Sequence, residues 1–228
     1  VGCNLDFESE LSREIEEFWP YLIELDGGLN ASELKIEPKV GGVELAASLG
    51  IGLQINFFSK LANRVLLRIA TKRVRDFPAF FQWIEKLKKD PILASFPNTT
   101  VWNFEVSASS SRLNNEKRLK EILNEHFRVA SSSDPSPQSL YVRIFEDEAT
   151  ISIDTTGELL HKRNNKEVGI APLRETLASF CLRQMIKGVA ISHMRKIELI
   201  DPMCGSGTFL LEARHLLAPK FRDEFSFL

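Results

Sequence analysis

The sequence has few of the residues that form metal sites or disulfide bonds. Its three cysteines, Cys3, Cys181 and Cys204, lie far apart, and no Cys-x-x-Cys pair occurs. The four histidines, at positions 126, 161, 193 and 215, lack the spacing typical of metal ligands. This pattern favours reduced thiols over a disulfide framework and predicts no metal site.

Long apolar runs are also missing. No run of about 18 apolar residues occurs, so no membrane-spanning segment is predicted. The first residues, Val1–Leu5, contain no basic stretch followed by an apolar one, so no signal peptide is expected. The chain begins without a methionine, which suggests a trimmed end. These observations predict a cytoplasmic protein.

Net charge is small, at −2, but its distribution along the chain is uneven. Residues 1–50 hold 11 acidic and three basic side chains, whereas residues 51–130 hold seven acidic and 14 basic ones. Such asymmetry favours one face that binds a polyanion, although lysines that merely solvate helices would produce part of it. The phosphate contacts expected from this segment are Arg64, Arg68, Lys72, Arg73, Arg75 and Arg112.

Hydrophobic spacing divides the chain into three parts. Residues 1–73 follow the order strand, helix, strand, strand, helix, strand, with a helix over Glu8–Trp19 and a last strand from Val65 to Ile69. Residues 74–156 contain helices from Pro78 and Glu116, and strands around Val101, Tyr141 and Thr150. Most of the 16 phenylalanines fall on apolar stripes, and we expect them in the core.

The third part, residues 157–228, contains a helix from Pro172 to Lys187 and then a short apolar run, Ile197–Ile200, that predicts a strand. Asp201-Pro202-Met203-Cys204-Gly205-Ser206-Gly207-Thr208 follows and opens a helical pattern. Gly205 and Gly207 allow a tight turn whose backbone N–H groups can approach a ligand. The third glycine of the dinucleotide fingerprint is missing, and Gly-x-Gly alone favours an ordinary strand-to-helix turn.

The full string resembles the first motif of S-adenosylmethionine-dependent methyltransferases. More narrowly, it resembles THUMP-domain RNA methyltransferases that modify guanine in large-subunit ribosomal RNA. Two further blocks, Ile153–Arg163 and Ala171–Ala178, are similar to the same family. The chain departs from that family at Asn164-Asn165-Lys166, where Gly-Tyr-Arg is usual.

The resemblance implies an α+β protein with a ferredoxin-like N-terminal domain (1–73) and an α/β THUMP RNA-binding domain (74–156). A linker helix and the start of a Rossmann-like methyltransferase domain would follow (157–228). It also implies RNA, specifically rRNA, as partner, with Lys162 and Arg163 as further RNA contacts. The implied S-adenosylmethionine site comprises Asp201, Pro202, Met203, Cys204, Gly205, Ser206, Gly207, Thr208, Pro172 and Leu173.

The catalytic loop expected from the resemblance, Asn/Asp-Pro-Pro-aromatic, has no counterpart, because none of the ten prolines are adjacent. No catalytic residue is therefore assigned, and the 228-residue chain by itself is expected to be inactive. The leucines of the last helix, Leu210, Leu211, Leu216 and Leu217, would pack on a removed remainder of the domain, on the chain's own N-terminal unit or on a second copy. Two alternatives stay open: an RNA-binding adaptor with a vestigial cofactor motif, and a small-molecule methyltransferase, which the basic middle segment disfavours.

Overall fold

A computed structural model describes residues 1–26, 34–128, 137–163, 172–187 and 199–217. The chain divides into two compact units. Among the described residues, unit 1 joins those from 1 to 65 with those from 158 to 217, and unit 2 comprises those from 66 to 157. Among the described helices, none is both long and apolar enough to cross a lipid bilayer.

Unit 1 is mainly helical. A hairpin over residues 36–45 turns at Gly41, whose φ of 81° is readily available only to glycine. Gly2 forms antiparallel bridges to Gly42 on one side and Arg64 on the other. In chain order, its elements are α1 (Glu8–Leu25), β1 (Ile36–Lys39), β2 (Gly42–Leu45), α2 (Leu49–Phe58), a 3₁₀ turn (Leu160–Lys162), α6 (Glu175–Ile186) and α7 (Thr208–Leu217).

The apolar core of unit 1 forms around one face of α1. Leu11, Ile15 and Leu22 recur at helical spacing and are almost fully buried. They share a cluster with residues of β2, α2 and the 3₁₀ turn. Phe180 of α6 stacks on Phe7 at the start of α1, with ring centroids 4.0 Å apart. The segment after residue 157 is therefore an integral part of unit 1.

Unit 2 is a four-stranded mixed sheet with helices. Its strand order is β3-β6-β5-β4, with β4 and β5 parallel and the other pairs antiparallel. The parallel pair requires a crossover, which α5 provides. The elements of unit 2 are β3 (Leu66–Arg73), α3 (Phe77–Leu87), α4 (Pro91–Ser95), β4 (Trp102–Ser109), α5 (Glu116–His126), β5 (Gln138–Phe145) and β6 (Glu148–Asp154).

One face of this sheet forms the core of unit 2. Alternate residues of β5, Leu140, Val142 and Ile144, are buried together with Phe80 of α3 and Leu119 of α5. The residues between them point to the opposite face, because side chains alternate along a strand. We call this opposite side the outer face. Along β5 it carries Ser139, Tyr141, Arg143 and Phe145.

A bulge in β3 changes which of its side chains share a face. Arg68 pairs with Ser152 and Ala70 with Ile151, so that one extra residue, Ile69, lies between the two pairs. Beyond the bulge, Thr71 pairs with Thr150 and Arg73 with Glu148. Arg68, Thr71 and Arg73 therefore belong to the outer face, as a bulge re-aims the side chains that follow it.

The structure corrects two details of the sequence expectations. The strand expected at Val65–Ile69 within residues 1–73 is β3, which pairs with β6 in unit 2, so the division falls after Val65. Long-range pairing of this kind leaves no local signal in the sequence. The strand expected at Ile197–Ile200 lies partly outside the described residues, and Leu199 and Ile200 are not in a strand.

Candidate functional site

The glycine turn forms as the spacing of its residues predicts. Gly205 and Gly207 both have positive φ, 51° and 72°. The N–H of Met203 donates to Asp201 Oδ1 at 3.1 Å, and the N–H of Gly207 donates to the carbonyl of Cys204 at 2.7 Å. The carboxylate of Asp201 thus shapes the start of the turn locally.

The outside of this turn is open. A Cβ at Gly205 would have the carbonyl of Met203 as its nearest neighbour, at 4.0 Å, and one at Gly207 would meet nothing within 4 Å among the described residues. Met203 itself is 89% exposed. The backbone of the turn is therefore accessible to a ligand. The two glycines are required for their backbone conformation rather than for relief of a clash within the chain.

Leu173, predicted together with Pro172 to contact the cofactor, lies beside the glycine turn. The buried hydroxyl of Thr208, the first residue of α7, donates to the carbonyl of Leu173 at 3.5 Å. The same hydroxyl is 3.2 Å from Ser206 Oγ. Two segments that the sequence analysis joined only through a family resemblance are thus neighbours in unit 1.

A buried ion pair anchors α7 behind the turn. Arg163 Nε and Nη2 donate to the two carboxylate oxygens of Glu212 at 3.2 and 2.5 Å. Their side chains are 8% and 0% exposed. Ser179 of α6 donates to Glu212 and accepts from Arg163. Arg163 also donates to the carbonyls of Leu160 and Lys60, each at 3.2 Å.

This cluster, Arg163–Glu212–Ser179, bears on the expectation that Arg163 contacts RNA. Its guanidinium donors are directed to protein oxygens and the side chain is buried, so it cannot reach a phosphate without breaking the cluster. The same charges affect Lys60. Burial, followed by the positive charge of Arg163, lowers the pKa of Lys60 to about 8, while Glu212 and Glu14 act in the opposite direction.

His161 lies beside this cluster in the 3₁₀ turn. Burial lowers the pKa of its imidazole, and Glu175 opposes that change whereas Arg174, Lys162 and Arg163 add to it. This shift favours the uncharged form of the ring. Its Nδ1 is buried without a hydrogen-bond partner among the described residues. In the described part of the chain, no group of three His, Cys, Asp or Glu side chains could hold a metal ion.

The remaining predicted RNA contacts fall into separate groups. Arg64 and Lys162 belong to unit 1, where Lys162 pairs with Glu158 at 3.1 Å. In unit 2, Arg68 and Arg73 share the outer face, whereas Lys72 is on the core side of β3, opposite Ala149. Arg75 is exposed just beyond the end of that strand.

Arg112 and Arg73 lie on either side of the β5–β6 turn. Asp147 in this turn accepts from the backbone N–H of Arg112 at 3.1 Å and from Ser111 Oγ at 2.8 Å. These hydrogen bonds, and the charges of Arg112 and Arg73, hold the pKa of the Asp147 carboxyl below its usual value. The N–H of Val74 donates to the carbonyl of Asp147 at 2.8 Å. Residues far apart in sequence thus converge at one end of the sheet.

The sequence expectations did not include two exposed residues of β5. Arg143 is exposed on the outer face, and its guanidinium forms no ion pair with any described residue. Phe145, expected in the core with the other phenylalanines, is 47% exposed. The alternation of Leu140, Val142 and Ile144 with polar or aromatic neighbours was the signal that could have revealed both.

The chain is similar to known methyltransferases. Residues 163–227 match the family described as UPF0020: RMKL-like, methyltransferase domain. A ribosomal RNA large subunit methyltransferase K/L from Marinomonas is 31% identical over 99% of this chain. The chain spans only 26% to 30% of the length of such relatives. It is thus homologous to these methyltransferases and carries an RMKL-like methyltransferase segment.

Solved structures share the fold. A predicted N6-adenine-specific DNA methylase from Listeria monocytogenes superposes with a TM-score of 0.78 at 21% identity, over 100% of this chain and 57% of that one. SMU.472, described as a methyltransferase and solved with SAH, superposes with a TM-score of 0.70 at 21% identity, over 99% and 58%. Residues 163–227 are thus similar to a methyltransferase domain, and one of the structures that share the fold was solved with SAH.

Proposed function

We propose that this chain is the RNA-binding portion of an S-adenosylmethionine-dependent methyltransferase that modifies guanine in large-subunit rRNA. The observation that carries the proposal is the methyltransferase match over residues 163–227. That range contains the glycine turn and both partners of the ion pair that anchors α7. The relatives named as large-subunit rRNA methyltransferases support rRNA as the substrate.

The residues present fit the proposed cofactor. Asp201 to Thr208, with Pro172 and Leu173, would hold it against an accessible turn at the start of a ten-residue helix. N–H groups at a helix start favour a negatively charged group, such as the carboxylate of the cofactor. When bound, S-adenosylmethionine supplies the methyl group, while this chain's residues bind and orient it.

We further propose a THUMP-type RNA-binding role for unit 2 and a ferredoxin-like arrangement for the N-terminal strands. The support for the first is the exposed arginines of unit 2, since phosphate contacts dominate the affinity of proteins for nucleic acids. The support for the second is the neighbour order Arg64, Gly2, β2, β1, in which each bridge is antiparallel. The element order along the chain agrees with it.

Calorimetric titration of S-adenosylmethionine tests the cofactor half of the proposal. The protein should carry this chain together with a complete methyltransferase domain. Asp201→Ala should abolish binding because it removes the acceptor for the Met203 N–H. Gly205→Val should abolish it because valine is strained at positive φ. Asp201→Asn keeps an acceptor and separates turn shape from charge. Normal affinity in both Asp201→Ala and Gly205→Val would contradict the assignment.

Methyl transfer from labelled cofactor tests the substrate. Unmodified rRNA should be methylated by the longer protein but not by the 228-residue chain, which lacks the Pro-Pro loop. Digestion of the product to nucleosides should show the label on guanine. Label on adenine would reject the guanine assignment, and transfer to DNA but not to RNA would reject the RNA assignment. Turnover by the 228-residue chain alone would show that other residues complete the active site.

A further inference from the structure

The outer face of the unit 2 sheet carries an exposed aromatic ring among arginines. Two cross-strand rows define this surface near the β5–β6 turn. In the first, Arg143, Thr150 and Thr71 lie side by side on β5, β6 and β3; in the second, Phe145, Glu148 and Arg73 do so. We call these six residues the Phe145 face.

Phe145 lies outside the apolar core cluster of unit 2. Its neighbour Ile144 is fully buried in the core, whereas Phe145 alternates to the other side and is 47% exposed. A single exposed aromatic is common on protein surfaces. This one differs because the two residues that flank it, Arg143 along the strand and Arg73 two strands away, are cationic and exposed. Sheet geometry puts Arg73 about 10 Å from Phe145, within reach of a long side chain.

The bulge at Ile69 is what completes this face. In a regular strand, Arg68 and Arg73 would point to opposite sides, because they are an odd number of residues apart. The register shift between Arg68 and Ala70 moves Thr71 and Arg73 to the outer face. Bulges of this kind are common next to functional sites, where they re-aim side chains.

We propose that the Phe145 face binds an unpaired nucleotide of single-stranded RNA, with the base stacked on Phe145 and flanking phosphates held by Arg143 and Arg73. This inference rests on the proposed function, because it assigns the RNA-binding role of unit 2 to one surface. The charge of this face supports RNA as its ligand. The guanidinium groups of Arg143 and Arg73 form no ion pair with a described residue, and phosphate oxygens match the donor geometry of a guanidinium.

Single-stranded RNA fits this face better than a duplex does. A ring on an open sheet can stack only with a base that is free of its own stack, as in loops, bulges and ends. Glu148, between Phe145 and Arg73, repels phosphate at the centre of the face but can accept a hydrogen bond from a base N–H group. The base therefore lies over the centre of the face and the phosphates lie near its arginines.

Fluorescence anisotropy with the 228-residue chain tests the proposal. The probe is labelled oligouridine of about 12 nucleotides, and the comparison is a duplex RNA of the same length. Phe145→Ala should weaken binding of the single strand about tenfold. Phe145→Tyr should restore it, because tyrosine keeps a ring for stacking. Because Phe145 is half exposed, its truncation should leave the fold intact, and circular dichroism of each variant checks this.

Charge variants test which face of the sheet contacts the phosphates of RNA. Arg143→Gln and Arg73→Gln should each reduce the slope of log affinity against log salt by about 0.7, the value for one phosphate on a single strand. Lys120→Gln, an exposed change on α5, is the matched control and should leave the slope unchanged. Lys72→Gln, on the core side of the same strand as Arg73, should have a smaller effect than Arg73→Gln.

The outcomes distinguish this inference from the proposed function. If the chain binds RNA but Phe145→Ala binds the single strand as wild type does, the Phe145 face is rejected and RNA binding stands. Binding of the duplex alone would lead to the same conclusion. If the chain binds neither RNA at any salt concentration, the RNA-binding role fails and the inference fails with it.

Discussion

The two units bury their polar groups in different ways. Unit 1 encloses charged side chains at its centre, among them Glu14, Arg163 and Glu212. The main core of unit 2 is apolar, and the buried charged residue among its described residues, Asp154, is at the end of β6, where its carbonyl accepts from Gln138 Nε2 at 2.7 Å. The difference follows chain connectivity: unit 1 is assembled from two separate segments, and the described part of unit 2 from one.

Glu14 shows how unit 1 uses a buried carboxylate. It is fully buried in α1 and accepts from Ser59 Oγ at 2.5 Å and from the N–H groups of Lys60 and Leu61 at 3.0 and 3.3 Å. Burial raises the pKa of this carboxyl, and the hydrogen bonds oppose that rise. Such groups tolerate only one arrangement of their partners, so they select how the segments join, whereas an apolar core permits more repacking.

The largest effect should come from breaking the buried ion pair of unit 1. Glu212→Ala leaves Arg163 buried without its carboxylate, and we expect the free energy of unfolding to fall by about 4 kcal/mol. Urea unfolding measures the loss, and amides of α6 and α7 should lose protection from hydrogen exchange first. The double variant Arg163→Met with Glu212→Leu should recover much of the stability. A loss below about 1 kcal/mol would mean that this buried pair stabilises the protein no more than a surface salt bridge does.

A cavity in the core of unit 2 should lower the free energy of unfolding somewhat less than Glu212→Ala does. Leu140 of β5 is fully buried in the apolar cluster, and Leu140→Ala should lower the free energy of unfolding by about 3 kcal/mol. Leu140→Met, which nearly conserves volume, is the matched control and should cost less than about 1.5 kcal/mol. Equal losses in the two variants would mean that side-chain shape, rather than lost volume, limits this core.

The buried charge of Lys60 should make the stability of unit 1 depend on pH. Its pKa in the folded state, about 8, lies below its usual 10.5, so its charge destabilises the protein below about pH 8, and this cost is relieved as pH rises towards 10.5. Lys60→Met should raise the free energy of unfolding at neutral pH by about 2 kcal/mol and remove this pH dependence. Lys120→Met on exposed α5 is the control. Identical pH profiles for wild type and Lys60→Met would contradict the buried-charge account.

The smallest effect should come from a polar contact at the surface of unit 2. Asp76 caps α3, because its Oδ1 accepts from the N–H of Ala79 at 2.7 Å in an exposed position. Asp76→Ala should lower the free energy of unfolding by about 1 kcal/mol, and Asp76→Asn by less, since asparagine also caps helices. Thermal unfolding measures both. A loss as large as that of Glu212→Ala would erase the distinction between surface and buried polar groups.

Local features of the molecule were accessible from the sequence. Spacing of apolar residues predicted α1, α3 and α5, because helix and strand periodicity depend on residues a few positions apart. The positive-φ turn at Gly205 and Gly207 was likewise predicted from residue type, since φ preferences belong to the residue itself. The resemblance added the link between Pro172–Leu173 and this turn, which the hydrogen bond to Thr208 supports.

Only the tertiary structure decided the rest. The sequence did not indicate that Arg163 forms a buried ion pair with Glu212, 49 positions away. β3 looked like the last strand of the first domain until it paired with β6, and its bulge then put Arg68 and Arg73 on one face. Each outcome depends on which distant segments pack together, because burial, cross-strand register and ion pairing are set by long-range contacts that a residue's neighbours in sequence do not determine.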